Sequence, residues 1–169
     1  IGVESSYETR NEYRDMLFTT NNLEKFISGV IMFDETIKQS TTGEDKFPFV
    51  KLLNDKGILP GIKVDMGAKP LALHSNEKVT EGLDGLSERL EEYYSLGARF
   101  AKWRAVITIG NGIPTDACIN ANAHALARYA SLCQDVNIVP IVEPEVLMDG
   151  KHTIARCAQI TDKTLRNVF

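Results

Sequence analysis

The chain has 169 residues, 43% of them hydrophobic and 25% charged, the composition of a globular protein with a sizeable core. A formal net charge of -4 and a pI near 5.4 argue against nucleic acid or an acidic membrane surface as the main partner. No apolar run approaches the roughly 20 residues of a membrane helix, no signal peptide is legible, and Cys118, Cys133 and Cys157, none in CxxC spacing, read as thiols of a reducing compartment.

In chain order, Ser5 to Phe18 is expected to be a helix, with Ser5 and Glu8 as a capping box and Tyr13, Met16 and Leu17 as its apolar stripe. After a short turn, Gly29 to Phe33 is the first strand, with Asp34 and Glu35 at its C-terminal end. Gln39 to Lys46 is a polar loop, and Phe47 to Lys56 a short helix stopped by Gly57. A second strand runs from Leu59 to Asp65, followed by a loop from Gly67 to Asn76. Val79 to Gly97 has helical periodicity through Leu83, Leu86, Leu90, Tyr93 and Leu96. The third strand covers Ala98 to Val106. Gly110 to Pro114 turns into a helix that Thr115 caps and that runs to about Gln134. Its inward positions are Ile119, Ala123, Leu126, Ala127, Ala130 and Cys133. The fourth strand is Ile138 to Glu145, and His152 to Phe169 is the last helix, with Ile154, Cys157, Ile160 and Leu165 as its stripe.

The pattern is one helix, then four strand–loop–helix units. No strand shows clean polar alternation, so both faces are expected to be buried in a parallel α/β sheet. A doubly wound sheet and a (β/α)8 barrel both fit. The absence of GxGxxG after any strand and the charges at the C-terminal end of every strand favour the barrel. Four units are half of a barrel, so residues 1–169 read as a single partial barrel domain, truncated at both ends or completed by another chain.

Those strand ends carry the chemistry. Lys63 and Asp65, Lys102 and Arg104, and Glu143 and Glu145 are each two residues apart and so share a face within a strand. Cations inside apolar strands are costly without anions opposite. Arg suits bidentate phosphate contacts, a lysine crowded by cations becomes an amine nucleophile, and a neighbouring Glu can shuttle the protons of imine formation. Lysine-based carbonyl chemistry on a sugar phosphate follows as the class. Asp34 and Glu35 read instead as structural ion partners. His74, His124 and His152 lack ligand spacing, with His124 expected to be half-buried in its helix. An Asp65, Glu143 and Glu145 magnesium site would be opposed by the adjacent lysines. No metal or other cofactor is expected.

The stretches GVIMFDET (29–36), GIKVD (61–65), GLDGLSER (82–89), FAKWR (100–104), LARYA (126–130) and IVPIVEPE (138–145) together resemble class I, Schiff-base-forming fructose-bisphosphate aldolase over nearly the whole chain. The resemblance implies a (β/α)8 TIM barrel of which these residues are strands 2 to 5. It implies a cytoplasmic homotetramer that reversibly cleaves fructose 1,6-bisphosphate to dihydroxyacetone phosphate and glyceraldehyde 3-phosphate in glycolysis and gluconeogenesis. The position of Glu143 is then the acid/base of Schiff-base formation. Lys102 takes part in proton transfer and C–C cleavage, and Glu145 supports the lysine network. Lys63 and Arg104 serve phosphate binding, with Asp65 beside them. The family's nucleophilic lysine, in a Glu-Gly-x-Leu-Leu-Lys-Pro type of motif, has no match here, so the covered stretch alone is expected to be inactive. Met66 stands where many members carry a second lysine. The rival reading is a non-catalytic sugar-phosphate-binding or scaffolding protein on the same barrel, which would have no need of the acid/base glutamate.

Overall fold

The computed structural model describes residues 2–169. Helix α1 spans Tyr7–Phe18, and a 3-10 turn at Leu23–Lys25 leads to strand β1, Gly29–Met32. Short helices α2 (Asp34–Ile37) and α3 (Phe49–Asp55) precede β2, Leu59–Lys63. Two three-residue strands follow, β3 (Ala68–Pro70) and β4 (Lys78–Thr80), then α4 (Leu86–Leu96), β5 (Phe100–Ile107), α5 (Asp116–Asp135), β6 (Val139–Val146) and α6 (Ile154–Val168).

Strands β1, β2, β5 and β6 form one parallel sheet in that order. Each new main strand is added on the same side of the last, with no reversal of direction. A doubly wound sheet reverses at its switch point, whereas a barrel wall does not. The helices cover one face of the sheet. Met32, Ile62, Val64, Ala101, Trp103, Ala105 and Ile107 are buried there. Trp103, on β5, stacks on Tyr129, on α5, with ring centroids 5.5 Å apart. Among the described residues no helix clothes the opposite face, and Ile31, Leu59, Val139 and Ile141 are exposed on it. The expectation of two buried faces is corrected accordingly. β5 does alternate, with Lys102 and Arg104 on one side and Ala101, Trp103 and Ala105 on the other.

At the N-terminal end of the open face, Phe100 lies across β2 and β1. A Cβ at Gly61 would stand 2.3 Å from its ring, and one at Gly29 would stand 2.9 Å away. Glycine at both positions makes room for that ring, which floors the face beneath the charged residues.

Several element boundaries differ from expectation. α1 is capped by Ser6, whose side chain accepts from the Thr9 N–H while Thr9 caps in return, so the box lies one residue later than Ser5 and Glu8. Tyr13, Met16 and Leu17 are exposed, and only Phe18 of α1 is buried, in an edge-on contact with Phe49. α4 begins at Leu86 rather than Val79, because Gly85 takes φ of 61° and breaks the helical path. Val79 and Thr80 belong to β4, which pairs antiparallel with β3. β3 lies inside the expected loop and β4 just beyond its end. Pro48 caps α3 rather than lying inside it, α6 starts at Ile154 behind the Thr153 cap, and Ile154 and Leu165 are exposed. Ala127 and His124, on α5, are exposed as well.

α1 is held by charge. Arg10 grips the Glu35 carboxylate, with Nη2 2.7 Å from Oε2, and Arg14 binds the same carboxylate and Gln39. These two guanidinium groups, Arg10 foremost, push the Glu35 carboxyl from 4.5 down to about 2. A carboxyl whose folded pKa lies below its unfolded one stabilises the fold above the unfolded value and loses that contribution as protons bind. The docking of α1 should therefore be constant at neutral pH and weaken as pH falls from about 4.5 to about 2. Hydrogen exchange of the α1 amides across that range should show it, and Glu35→Gln should remove the pH dependence.

Candidate active site

The parallel register brings the six strand-end charges onto one face. Lys63, on β2, is the register partner of Lys102, on β5. Across the other side of β5, Lys102 is opposite Ile141, Arg104 opposite Glu143, and Val106 opposite Glu145. Side chains of register partners point to the same face of a sheet. Lys63, Asp65, Lys102, Arg104, Glu143 and Glu145 therefore gather at the C-terminal end of the open face, above the Phe100 floor.

Each cation has its own carboxylate. Lys63 Nζ donates to Asp65 Oδ1 at 2.6 Å. Lys102 Nζ lies 3.0 Å from Glu143 Oε2. Arg104 Nε pairs with Glu145 Oε2. Both partners on β6 lie two residues further along than the register position of the cation they bind, so the acids form a tier above the bases. The sequence suggested a lysine crowded by cations; the structure instead pairs every cation, and the six charges balance. Asp65 is the only buried member, its side chain 3% exposed against about 30% for Lys63, Lys102 and Glu143. Its Oδ1 also accepts the Gly67 N–H at 3.0 Å, and Oδ2 lies 3.4 Å from the Arg104 N–H.

Asp34 and Glu35 stand outside this group. Asp34 Oδ1 accepts from Tyr93 Oη at 3.0 Å and from Lys38 Nζ at 2.8 Å. The Lys38 ammonium foremost, and then the Tyr93 hydroxyl, hold its carboxyl below the usual range. Met66 is exposed beside Asp65. Cys118 and Cys133 are buried, and desolvation pushes their thiols up to about 11 and about 12. Among the described residues no group of three His, Cys, Asp or Glu side chains is placed to hold a metal ion, and no helix is long and apolar enough to cross a membrane.

Sequence reasoning missed the polar residues behind the site. Arg89, on α4, donates to the Val64 and Gly82 carbonyls at 3.0 and 2.7 Å. Buried Glu77 accepts the Thr115 N–H and hydroxyl, both at 2.7 Å, at the start of α5. Thr80 and Asn122 tie β4 to β5 and α5. Only the buried Asn122 in an otherwise apolar helical stripe carried a sequence signal, since polar groups are buried to bond.

Three comparisons bear on this arrangement. The family model for class-I fructose-bisphosphate aldolase matches residues 1–169. The probable class 1 fructose-bisphosphate aldolase of Xanthomonas campestris pv. campestris is 61% identical over 169 residues, all of this chain and 50% of the relative. Fructose-bisphosphate aldolase 2 of Plasmodium berghei is 54% identical over 171 residues, all of this chain and 46% of the relative. Plasmodium falciparum fructose-bisphosphate aldolase, solved in a ternary complex with TRAP and a small-molecule inhibitor, superposes with a TM-score of 0.95 at 52% identity, over 99% of this chain and 48% of that one. The chain spans about half the length of the curated relatives it matches, and its parallel sheet is part of a TIM barrel.

Asp65 is the joint between β2 and β5. Asp65→Ala would strip Lys63 of its carboxylate and leave two backbone N–H groups without it. Urea denaturation should show a loss of about 2–3 kcal/mol, the size expected when a largely buried ionic partner is removed. Lys63→Ala should cost a similar amount, since it leaves the buried Asp65 carboxylate without its counter-ion.

Proposed function

Because the chain belongs to the class I fructose-bisphosphate aldolase family, we propose that its six strand-end charges are the proton-transfer and one-phosphate side of an aldolase site. The reaction is the reversible cleavage of fructose 1,6-bisphosphate to dihydroxyacetone phosphate and glyceraldehyde 3-phosphate, in glycolysis and gluconeogenesis. The observation that carries the reading is the 3.0 Å Lys102–Glu143 pair, set between the other two cations at the mouth of a barrel.

The chemistry follows from what those groups can do. An amine outside residues 1–169 adds to the C2 carbonyl, and the Glu143 carboxylate takes a proton from its ammonium and returns it to the carbinolamine hydroxyl, which leaves as water. The resulting iminium takes up the electron pair as C3–C4 breaks, and the C4 hydroxyl gives its proton to the Lys102–Glu143 pair. Glyceraldehyde 3-phosphate leaves; protonation of the enamine and hydrolysis release dihydroxyacetone phosphate. Glu145 holds Arg104, and Arg104 with Lys63 meets a phosphate, as guanidinium and ammonium groups are suited to do. Asp65 orients Lys63. Three cations balanced by three carboxylates supply no net positive charge, so the groups that hold the second phosphate lie elsewhere in the barrel. In the same reading residues 1–169 are one continuous part of a barrel domain, assembled as a homotetramer in the cytoplasm, and inactive when isolated from the rest.

Measurements on the full-length protein test this. Glu143→Gln should lower turnover by roughly 10²-fold or more while leaving sugar-phosphate affinity close to wild type, since it removes a general acid–base group and little else. A wild type that binds fructose 1,6-bisphosphate without cleaving it would establish the scaffolding alternative, and loss of activity with a chelator would establish a magnesium-dependent lyase. Borohydride reduction in the presence of dihydroxyacetone phosphate should trap an adduct on a lysine other than Lys63 or Lys102. An adduct on either would overturn the assignment of roles.

A further inference from the structure

Strand β5 outruns its neighbour. β2 ends at Lys63, and the last main-chain bond between them is from the Val64 N–H to the Lys102 carbonyl at 3.1 Å. Alternate residues of a strand bond to opposite neighbours, so Arg104 turns its N–H and C=O to the side where β2 has stopped. Side chains take over there. Asp65 Oδ2 stands 3.4 Å from the Arg104 N–H, and Thr80 Oγ1 donates to the Arg104 carbonyl at 2.7 Å.

Thr80 is itself fixed. It is 2% exposed, and its N–H donates to Asn122 Oδ1 at 3.1 Å. Asn122 is equally buried, and its Nδ2 donates to the Lys78 and Cys118 carbonyls at 2.9 and 3.0 Å. Both termini of the Asn122 amide are thus satisfied, and the hairpin strand is anchored to α5.

We propose that Thr80, braced by Asn122, is a positioning residue for Arg104: its hydroxyl stands in for the missing β2 rung and sets the peptide plane from which the guanidinium reaches the site. The inference rests on the reading of Arg104 as a phosphate ligand. A small rotation of that plane is amplified along the long Arg side chain, so a lost rung at the edge of β5 reaches substrate binding on the open face.

The test is Thr80→Val in the full-length protein, which keeps the shape and removes the donor. KM for fructose 1,6-bisphosphate should rise about tenfold, equivalent to about 1.4 kcal/mol and the size of one net hydrogen bond, with kcat changing by less than about threefold. Thr80→Ser restores the hydroxyl and should return KM to within about twofold of wild type. In an Arg104→Ala background, Thr80→Val should have almost no further effect on KM, because two residues acting through one contact are not additive. An unchanged KM in Thr80→Val, failure of serine to rescue, or full additivity with Arg104→Ala would overturn the proposal, including where thermal stability falls. A wild type that neither binds nor cleaves the sugar bisphosphate would refute the aldolase reading itself, an outcome distinct from a working enzyme indifferent to Thr80→Val.

Discussion

The alternation of β5 is the constraint on which the rest depends. Ala101, Trp103, Ala105 and Ile107 are buried against the helices, and that burial, worth about 1.5–3 kcal/mol for each large side chain, locks which face each residue shows. Slipping the strand by one residue would bury Lys102 and Arg104 and expose Trp103, a change no local interaction offsets. The packing of Trp103 on Tyr129 is therefore what holds two cations in the mouth. The register with β6 then brings Glu143 and Glu145 within reach. Lys63 and Lys102 are side by side in the register, an arrangement that costs energy between like charges unless each has a counter-ion. Each does, in Asp65 and Glu143.

This is why the main strands and the six charged residues were legible in the sequence. Spacing by two places side chains on one face without any tertiary information, and apolar runs that end in charge mark the strands that carry them. What periodicity misjudged were positions where it matches but burial is decided by neighbours. Leu83, Leu86, Leu90 and Tyr93 follow a helical spacing that continues back through Val79, yet the β-branched pair Val79–Thr80 enters a strand and Gly85, at φ of 61°, resets the chain. Tyr13, Met16 and Leu17 follow a helical spacing that nothing in these residues covers. On the strands, the reading of two buried faces treated the cations as interruptions of an apolar run, whereas they are one half of an alternation.

The hairpin between β2 and α4 was illegible for a different reason. Its strands are three residues each, and β3 includes Pro70, so neither length nor composition marks them. Their stability comes from long-range partners: Glu77 on the start of α5, Asn122 on the Lys78 and Thr80 backbone, and Thr80 on the Arg104 carbonyl. Every one of these bonds joins residues at least 24 positions apart, a separation over which local propensity carries no information.

The pairing of charges also limits what this face can do. Three cations matched by three carboxylates create no net field to draw an anion in from solution. What they create is a set of short donor–acceptor contacts, held in place by a buried Asp65 and an apolar floor at Phe100. Such an arrangement suits the moving of protons once a substrate has been delivered, because the cost of orienting each ion was met when the strands packed. A phosphate that enters must displace a carboxylate or share its cation. Arg104 can share, since its guanidinium has five donors and Glu145 takes only the edge at Nε. Lys63, whose ammonium already donates to the Asp65 carboxylate and lies 3.3 Å from the Asp65 carbonyl, has one donor left. In the aldolase reading proposed above, the Arg104 end is therefore the part of this face on which phosphate recognition would depend, and the support behind that residue matters more than the count of positive charges around it.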